Sequence, residues 1–260
     1  MMSKLRLAGK SALITGGGAG IGAAAAHLFC QEGASVMLVD ANEQALARTK
    51  QGIQESMPHA RVSCLAADVA EEAAALHAVH LCEELFDGLD ILVNNAAMRN
   101  YAAAADATPA EWLAIVGVNL IGVSSYCKAA LPSLRRSGHG SIVNVSSCYA
   151  VTGRKGMALY DATKAAQLAY TRTLAFEESM HGVRANAVCP GSTLTDFHIG
   201  RAEGNGKSVE QLKTERKDSS LIGRWAQPEE VAWPILWLSS NEASFITGTT
   251  LMVDGGLHIM

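Results

Sequence analysis

The chain has no excess of basic charge: 21 Lys and Arg stand against 25 Asp and Glu, for a net −4 and a pI near 6.1. A nucleic-acid surface needs the opposite balance, so no nucleic-acid partner is expected. No stretch reaches about 18 uninterrupted apolar residues, the length of a membrane-spanning helix, so no membrane partner is expected either. Residues Met1-Met2-Ser3-Lys4-Leu5-Arg6-Leu7 lead into the first strand pattern without the apolar core of a signal peptide, and the expected location is the cytoplasm. The cysteines (Cys30, Cys64, Cys82, Cys127, Cys148, Cys189) lack Cys-x-x-Cys spacing, and the histidines never fall into a His-x-x-x-His pattern, so no metal is expected. No Gly-x-Ser-x-Gly elbow surrounds Ser147, which disfavours a serine hydrolase. Gly204-Asn205-Gly206-Lys207-Ser208 resembles the end of a phosphate loop, but Arg201 stands where that motif needs glycine. Asn144-Val145-Ser146 fits a glycosylation sequon, yet lies in an apolar strand pattern.

What is present is a chain of 260 residues, 49% of them hydrophobic, long enough to bury a full core as one unit. Short apolar runs near 11–16, 35–40, 61–68, 90–96, 141–146, 183–189 and 249–253 alternate with longer helical patterns. That alternation predicts a parallel sheet with helices on both faces. The expected architecture is therefore a single α/β domain over residues 1–260, a Rossmann-type doubly wound sheet of about seven parallel strands.

The first of these strands runs into Thr15-Gly16-Gly17-Gly18-Ala19-Gly20-Ile21-Gly22 and then a helical pattern. A strand, a tight turn and a helix N-terminus together place backbone N–H groups and the helix dipole where a pyrophosphate can lie. Gly16 permits the turn, Gly20 leaves room for phosphates, and Gly22 lets the helix pack closely. The second strand ends at Asp40, where a carboxylate would accept hydrogen bonds from the adenosine ribose and repel a 2′-phosphate; no Arg or Lys stands in the turn or beside Asp40 to bind that phosphate. The expected cofactor is NAD. Farther on, Tyr160 and Lys164 are four residues apart in a helical pattern, on one face, and a cation near a phenol favours tyrosinate and proton exchange with an alcohol or ketone.

Together these residues resemble the classical short-chain dehydrogenase/reductase family over essentially the whole chain. The glycine run has its Thr-Gly-x-x-x-Gly-x-Gly form, taking in Gly16, Gly18, Gly20, Ile21 and Gly22, and Tyr160 to Lys164 has its Tyr-x-x-x-Lys form. The resemblance implies that Asp68 and Val69, ending the third strand, contact adenine, and that Asn95 and Ala96 of Asn94-Asn95-Ala96-Ala97 line the cofactor. It implies that Asn119 positions a proton-relay water, that Ser147 orients the substrate, and that Pro190, Gly191, Thr193 and Thr195 hold the nicotinamide carboxamide. Tyr160 would be the acid/base, with Lys164 depressing its pKa and holding the nicotinamide ribose. A secondary alcohol or ketone would be the substrate, and a homotetramer or homodimer the assembly. Ala97 and Thr163 depart from the family's usual glycine and serine, and Pro234 should kink its helix or mark its first turns.

The polar segment 192–220 interrupts the alternation and is expected to close over substrate as a lid. Three loops would converge above the nicotinamide, carrying Met98 and Arg99, Cys148, Tyr149, Arg154 and Lys155, and His198. Their basic residues favour a polar or anionic alcohol, with Arg99 as the anchor. Two alternatives stand beside this reading: an NADPH-dependent 3-oxoacyl-thioester reductase, which Asp40 opposes, and a non-catalytic NAD-binding scaffold, which the intact Ser, Tyr and Lys set opposes.

Overall fold

Most of the apolar runs become strands because they are short, carry β-branched residues and end close to Gly, Asp, Asn, Ser or Pro. A computed structural model describes residues 5–215 and 220–260. Its elements are β1 (Ser11–Thr15), α1 (Gly20–Gln31), β2 (Ser35–Asp40), α2 (Glu43–Ser56), β3 (Val62–Ala66), α3 (Glu72–Phe86), β4 (Ile91–Asn94), α4 (Pro109–Val116), a π-helical turn (Gly117–Gly122), α5 (Val123–Ser137), β5 (Ser141–Val145), α6 (Ala158–Glu178), β6 (Arg184–Pro190), α7 (Asp196–Gly204), α8 (Val209–Glu215), α9 (Pro228–Ser239) and β7 (Thr250–Val253).

All strands join one parallel sheet in the order β3-β2-β1-β4-β5-β6-β7, as expected. The order reverses between β1 and β4, where their carboxyl ends diverge and open a crevice. One core face packs α1, α2 and α9 through residues such as Phe29, Leu46 and Ile235. The other packs α3, α5 and α6 through Val79, Tyr126 and Leu174. Asn144 is fully buried in β5, which removes the sequon from consideration.

Three expectations are adjusted. β3 ends at Ala66, so Asp68 and Val69 belong to the following loop, where Asp68 Oδ1 accepts the Ala70 N–H at 2.9 Å. Segment 192–220 contains α7 and α8 rather than open loop, with residues 216–219 outside the described residues. Pro228 starts α9, whose missing N–H costs nothing there, and Pro234 lies inside the same uninterrupted helix. The helical run Pro109–Ser137 has the length and hydropathy of a membrane span, but α5 within it packs against α3 and the sheet as a core helix does.

The glycine turn depends on close backbone approach. Gly16 and Gly20 have φ of +65° and +53°, in the left-handed region. A Cβ on Gly22 would lie 2.1 Å from the Gly16 carbonyl oxygen, whereas one on exposed Gly52 of α2 would meet open space. Gly22→Ala is therefore expected to cost about 1–3 kcal/mol or more through overpacking. Gly52→Ala should stabilise by about 1 kcal/mol. Thermal unfolding of the two variants checks this; shifts of one sign would refute it.

Candidate active site

At the carboxyl edge of the sheet a cleft of about 1320 Å³ follows the crevice between β1 and β4. Gly16, Gly20 and Ile21 form its floor, Asp40 and Ala41 one end, and Asp68, Val69, Asn95 and Ala96 its side. A second cavity, of about 750 Å³, adjoins it and shares Ile21, Asn95, Ala97, Arg99 and Thr195 as wall. That cavity gathers Ser147, Tyr149, Arg154, Tyr160, Lys164, Pro190, Gly191, Thr193 and His198, from loops far apart in the chain.

The cleft fits a dinucleotide. The Gly20 N–H, at the start of α1, already donates to a carboxylate, Asp196 Oδ2 at 3.2 Å, so the turn presents an anion-accepting donor. The turn is braced from β4: Asn95 Nδ2 donates to the Thr15 and Gly16 carbonyls at 3.1 and 3.0 Å, and Thr15 Oγ1 accepts the N–H groups of Asn95 and Ala96. Gly18 faces Asp40 rather than the cleft, its N–H donating to Asp40 Oδ2 at 3.0 Å. Asn42 N–H donates to the other oxygen, also at 3.0 Å. Gly22 serves packing alone, as its contact with Gly16 shows.

Tyr160 and Lys164 lie on the buried face of α6. Lys164 Nζ donates to the Val145 carbonyl at 2.7 Å and to Gln167 Oε1 at 3.3 Å. It stands 5.6 Å from the centre of the Tyr160 ring. Burial pushes the lysine down to about 7, and the nearby Arg99 pushes the same way. Burial also raises the tyrosine, and the cations that oppose it are Arg99 and Arg154. The expectation that Lys164 lowers the phenol is therefore replaced: its ammonium is turned toward the β5 carbonyl, and Arg99 and Arg154 are the cations that act on the phenol.

Asn119 also departs from expectation. It is fully buried in the π-helical turn and lines neither space. Its side chain bonds the Met98 backbone in both directions and donates to Thr163 Oγ1. Its backbone carbonyl accepts Gln167 Nε2 at 2.6 Å. Gln167 thus joins the ammonium of Lys164 to the carbonyl of Asn119, and it was missed in the sequence. Its signal was a polar stripe at helical spacing, Tyr160, Thr163, Lys164, Gln167 and Thr171, all buried.

The residues of the three loops differ in their surroundings. Cys148 is buried, off the cavity wall, and its thiol is pushed up to about 12 by burial, so it is not a reactive group. Lys155 is exposed and off the wall. Arg154 pairs with Asp161 at 3.1 Å and stacks 3.9 Å above the Tyr149 ring. His198 meets Thr195 Oγ1 at 3.0 Å and packs edge-on to Trp225. Asp196, Phe197 and Trp225 were also missed; their contacts span long stretches of chain and leave no local signal.

Comparison with known proteins follows this geometry. The family model described as enoyl-(acyl carrier protein) reductase matches residues 16–258. A short chain dehydrogenase/reductase of Aspergillus oryzae is 36% identical over 259 residues, covering 99% of this chain and 98% of that one. The 2-(S)-hydroxypropyl-CoM dehydrogenase 3 of Xanthobacter autotrophicus is 37% identical, covering 97% and 98%. The L-sorbose reductase of Gluconobacter frateurii, solved with NADPH and L-sorbose, superposes with a TM-score of 0.93 at 30% identity, covering 99% of each chain.

The buried lysine has a stability consequence. Its pKa is about 7 in the folded chain against 10.5 for an ordinary lysine. Between these values the unfolded chain holds the proton that the folded chain has released, so folding gains as pH rises through that window. Below about pH 7 both states are protonated, and the cost of burying the charge is constant. The natural chain should therefore gain stability relative to Lys164→Met as pH rises from about 7 to 10.5. Parallel unfolding curves for the two proteins across that range would refute it.

Proposed function

The chain belongs to the classical short-chain dehydrogenase/reductase family, and on that premise we propose that it interconverts a secondary alcohol and a ketone with NAD as its hydride carrier. It is an oxidoreductase acting on CH–OH groups. The observation that carries the choice of NAD is Asp40, fixed by two backbone N–H groups at the end of the cleft. A carboxylate so held is preorganised to accept the adenosine ribose hydroxyls and to repel a 2′-phosphate. The L-sorbose reductase holds NADPH on the same fold, so the fold alone does not select, and the reading of NAD rests on Asp40 at the strand end. The runner-up, an NADPH-dependent reductase of 3-oxoacyl thioesters, draws support from a relative, the 3-oxoacyl-[acyl-carrier-protein] reductase of Thermotoga maritima, 35% identical over 260 residues. Asp40 opposes it.

Bound in the cleft, NAD would supply the hydride acceptor. Ser147 and Tyr160 share the cavity wall, where the serine hydroxyl would hold the substrate oxygen and the phenol would exchange its proton. Arg99 and Arg154 favour the phenolate that proton exchange requires, against the opposing effect of burial. Burial pulls Lys164 well below its ordinary range, and Gln167 holds its Nζ in place. Segment 192–220 would act as the lid, since α7 brings Thr195, Phe197 and His198 to the two spaces. A homotetramer or homodimer is supported by exposed Trp112, Leu113 and Ile121 on α4 and the π-helical turn, with Phe176 near the end of α6. Six free thiols support a cytoplasmic location.

Tyr160→Phe should lower turnover by about 10²–10⁴-fold while leaving NAD affinity nearly intact. Retained turnover would remove the role given to the phenol. Asp40→Ala should weaken NAD by about tenfold and narrow its preference over NADP, following the loss of hydrogen bonds to a charged group. If the natural protein uses NADP better, the reading of Asp40 is wrong. Asp196→Asn should tighten NAD by about 0.3–1 kcal/mol, since the carboxylate on Gly20 N–H competes with an anion there. Calorimetric titration reads both affinities, and unchanged binding would show that the Asp196 contact does not compete.

A further inference from the structure

The charged groups on the wall of the second cavity are all cationic or basic: Arg99, Arg154, Lys164 and His198 line it, and no Asp or Glu does. This is notable in a chain whose net charge is −4. These groups are not equivalent. Arg154 is matched by Asp161, with Nε and Nη2 donating to its Oδ1 at 3.2 and 3.1 Å. Lys164 is engaged by Val145 and Gln167. His198 is bonded to Thr195.

Arg99 differs. Among the described residues it has no carboxylate within ion-pair distance and no hydrogen-bond acceptor. Its guanidinium carbon lies 5.2 Å from the centre of the Tyr160 ring and 5.3 Å from that of Phe197. Two rings hold the fork in place without satisfying its N–H groups. Half-buried between rings, an arginine has lost part of its hydration and kept its charge. It stands at the junction of the cleft and the cavity, beside the phenol assigned the proton. A planar fork so placed suits a carboxylate, which it can bind through two parallel hydrogen bonds. A bulky apolar substrate would instead leave the fork without an acceptor.

We infer that the substrate is a compact hydroxy acid or its oxo acid, with the carboxylate held by Arg99 while the carbinol oxygen lies between Ser147 and Tyr160. This rests on the alcohol–ketone reading above and names its substrate class. The carboxylate takes no part in the redox step; it orients the carbinol. Arg99 also favours ionised Tyr160, so its loss should slow every substrate, and the readout must be a ratio.

The test compares 3-hydroxybutanoate with 2-butanol under NAD, in the natural protein and in Arg99→Gln. The variant should lower the specificity constant for the acid about 30-fold more than for the alcohol, the range expected for a hydrogen-bonded charge pair. Calorimetric titration with butanoate, which has the carboxylate but no carbinol, should show binding to the natural protein that Arg99→Gln lacks. An unchanged acid-to-alcohol ratio, or equal butanoate binding by both proteins, overturns the inference. If butanoate binding depends on Arg99 while neither alcohol is oxidised, the anion site stands and the alcohol–ketone reading falls.

Discussion

Burying the ammonium of Lys164 against the sheet is the constraint around which this site is organised. A cation taken out of water must be hydrogen-bonded to remain, and here the Val145 carbonyl and Gln167 meet it. Those contacts belong to a longer ladder. Thr171 Oγ1 donates to the Gln167 carbonyl and accepts Asn144 Nδ2, and Asn144 Oδ1 accepts Asn94 Nδ2. The ladder therefore ties α6 to β5 and β4 through buried polar groups, whose geometry is more specific than apolar contact alone. Tyr160, one turn before Lys164, inherits its position from that anchorage.

The same burial sets the electrostatics. Desolvation opposes charge on both the phenol and the ammonium, so each is displaced toward its neutral form. What tilts the phenol back is guanidinium from outside the helix, from the loop after β4 and the loop after β5. Arginine can do this where lysine cannot, because it keeps its charge when partly desolvated. The ionisation of the phenol thus depends on three segments of chain rather than on one helical pair.

The cleft shows a related economy of parts. The β1–α1 turn is held on one side by Asn95 and on the other by Asp40, each bonded to its backbone. Residues that border the dinucleotide cleft are also the braces of its floor. Asp196 extends this logic to α7, from which its carboxylate reaches the Gly20 N–H. Cleft and α7 are in contact through a donor that any bound phosphate would also address.

Much was legible in the sequence because periodicity and local turn chemistry act over a few residues. The strand runs, the left-handed Gly16 and Gly20, and the i,i+4 step from Tyr160 to Lys164 each carry their geometry within a short window, and the parallel sheet follows from their alternation. Gln167 was within reach of the same reasoning, as one more polar residue on a buried helical face. Other features were not local. Which cation acts on Tyr160, whether Arg154 is matched by Asp161, and that Cys148 turns into the core all depend on side chains meeting across packed elements. The sequence by itself determined the architecture and the residues that border the site. Only the tertiary structure decided which of their charges are matched and which remain open, because burial and pairing are properties of the assembled fold.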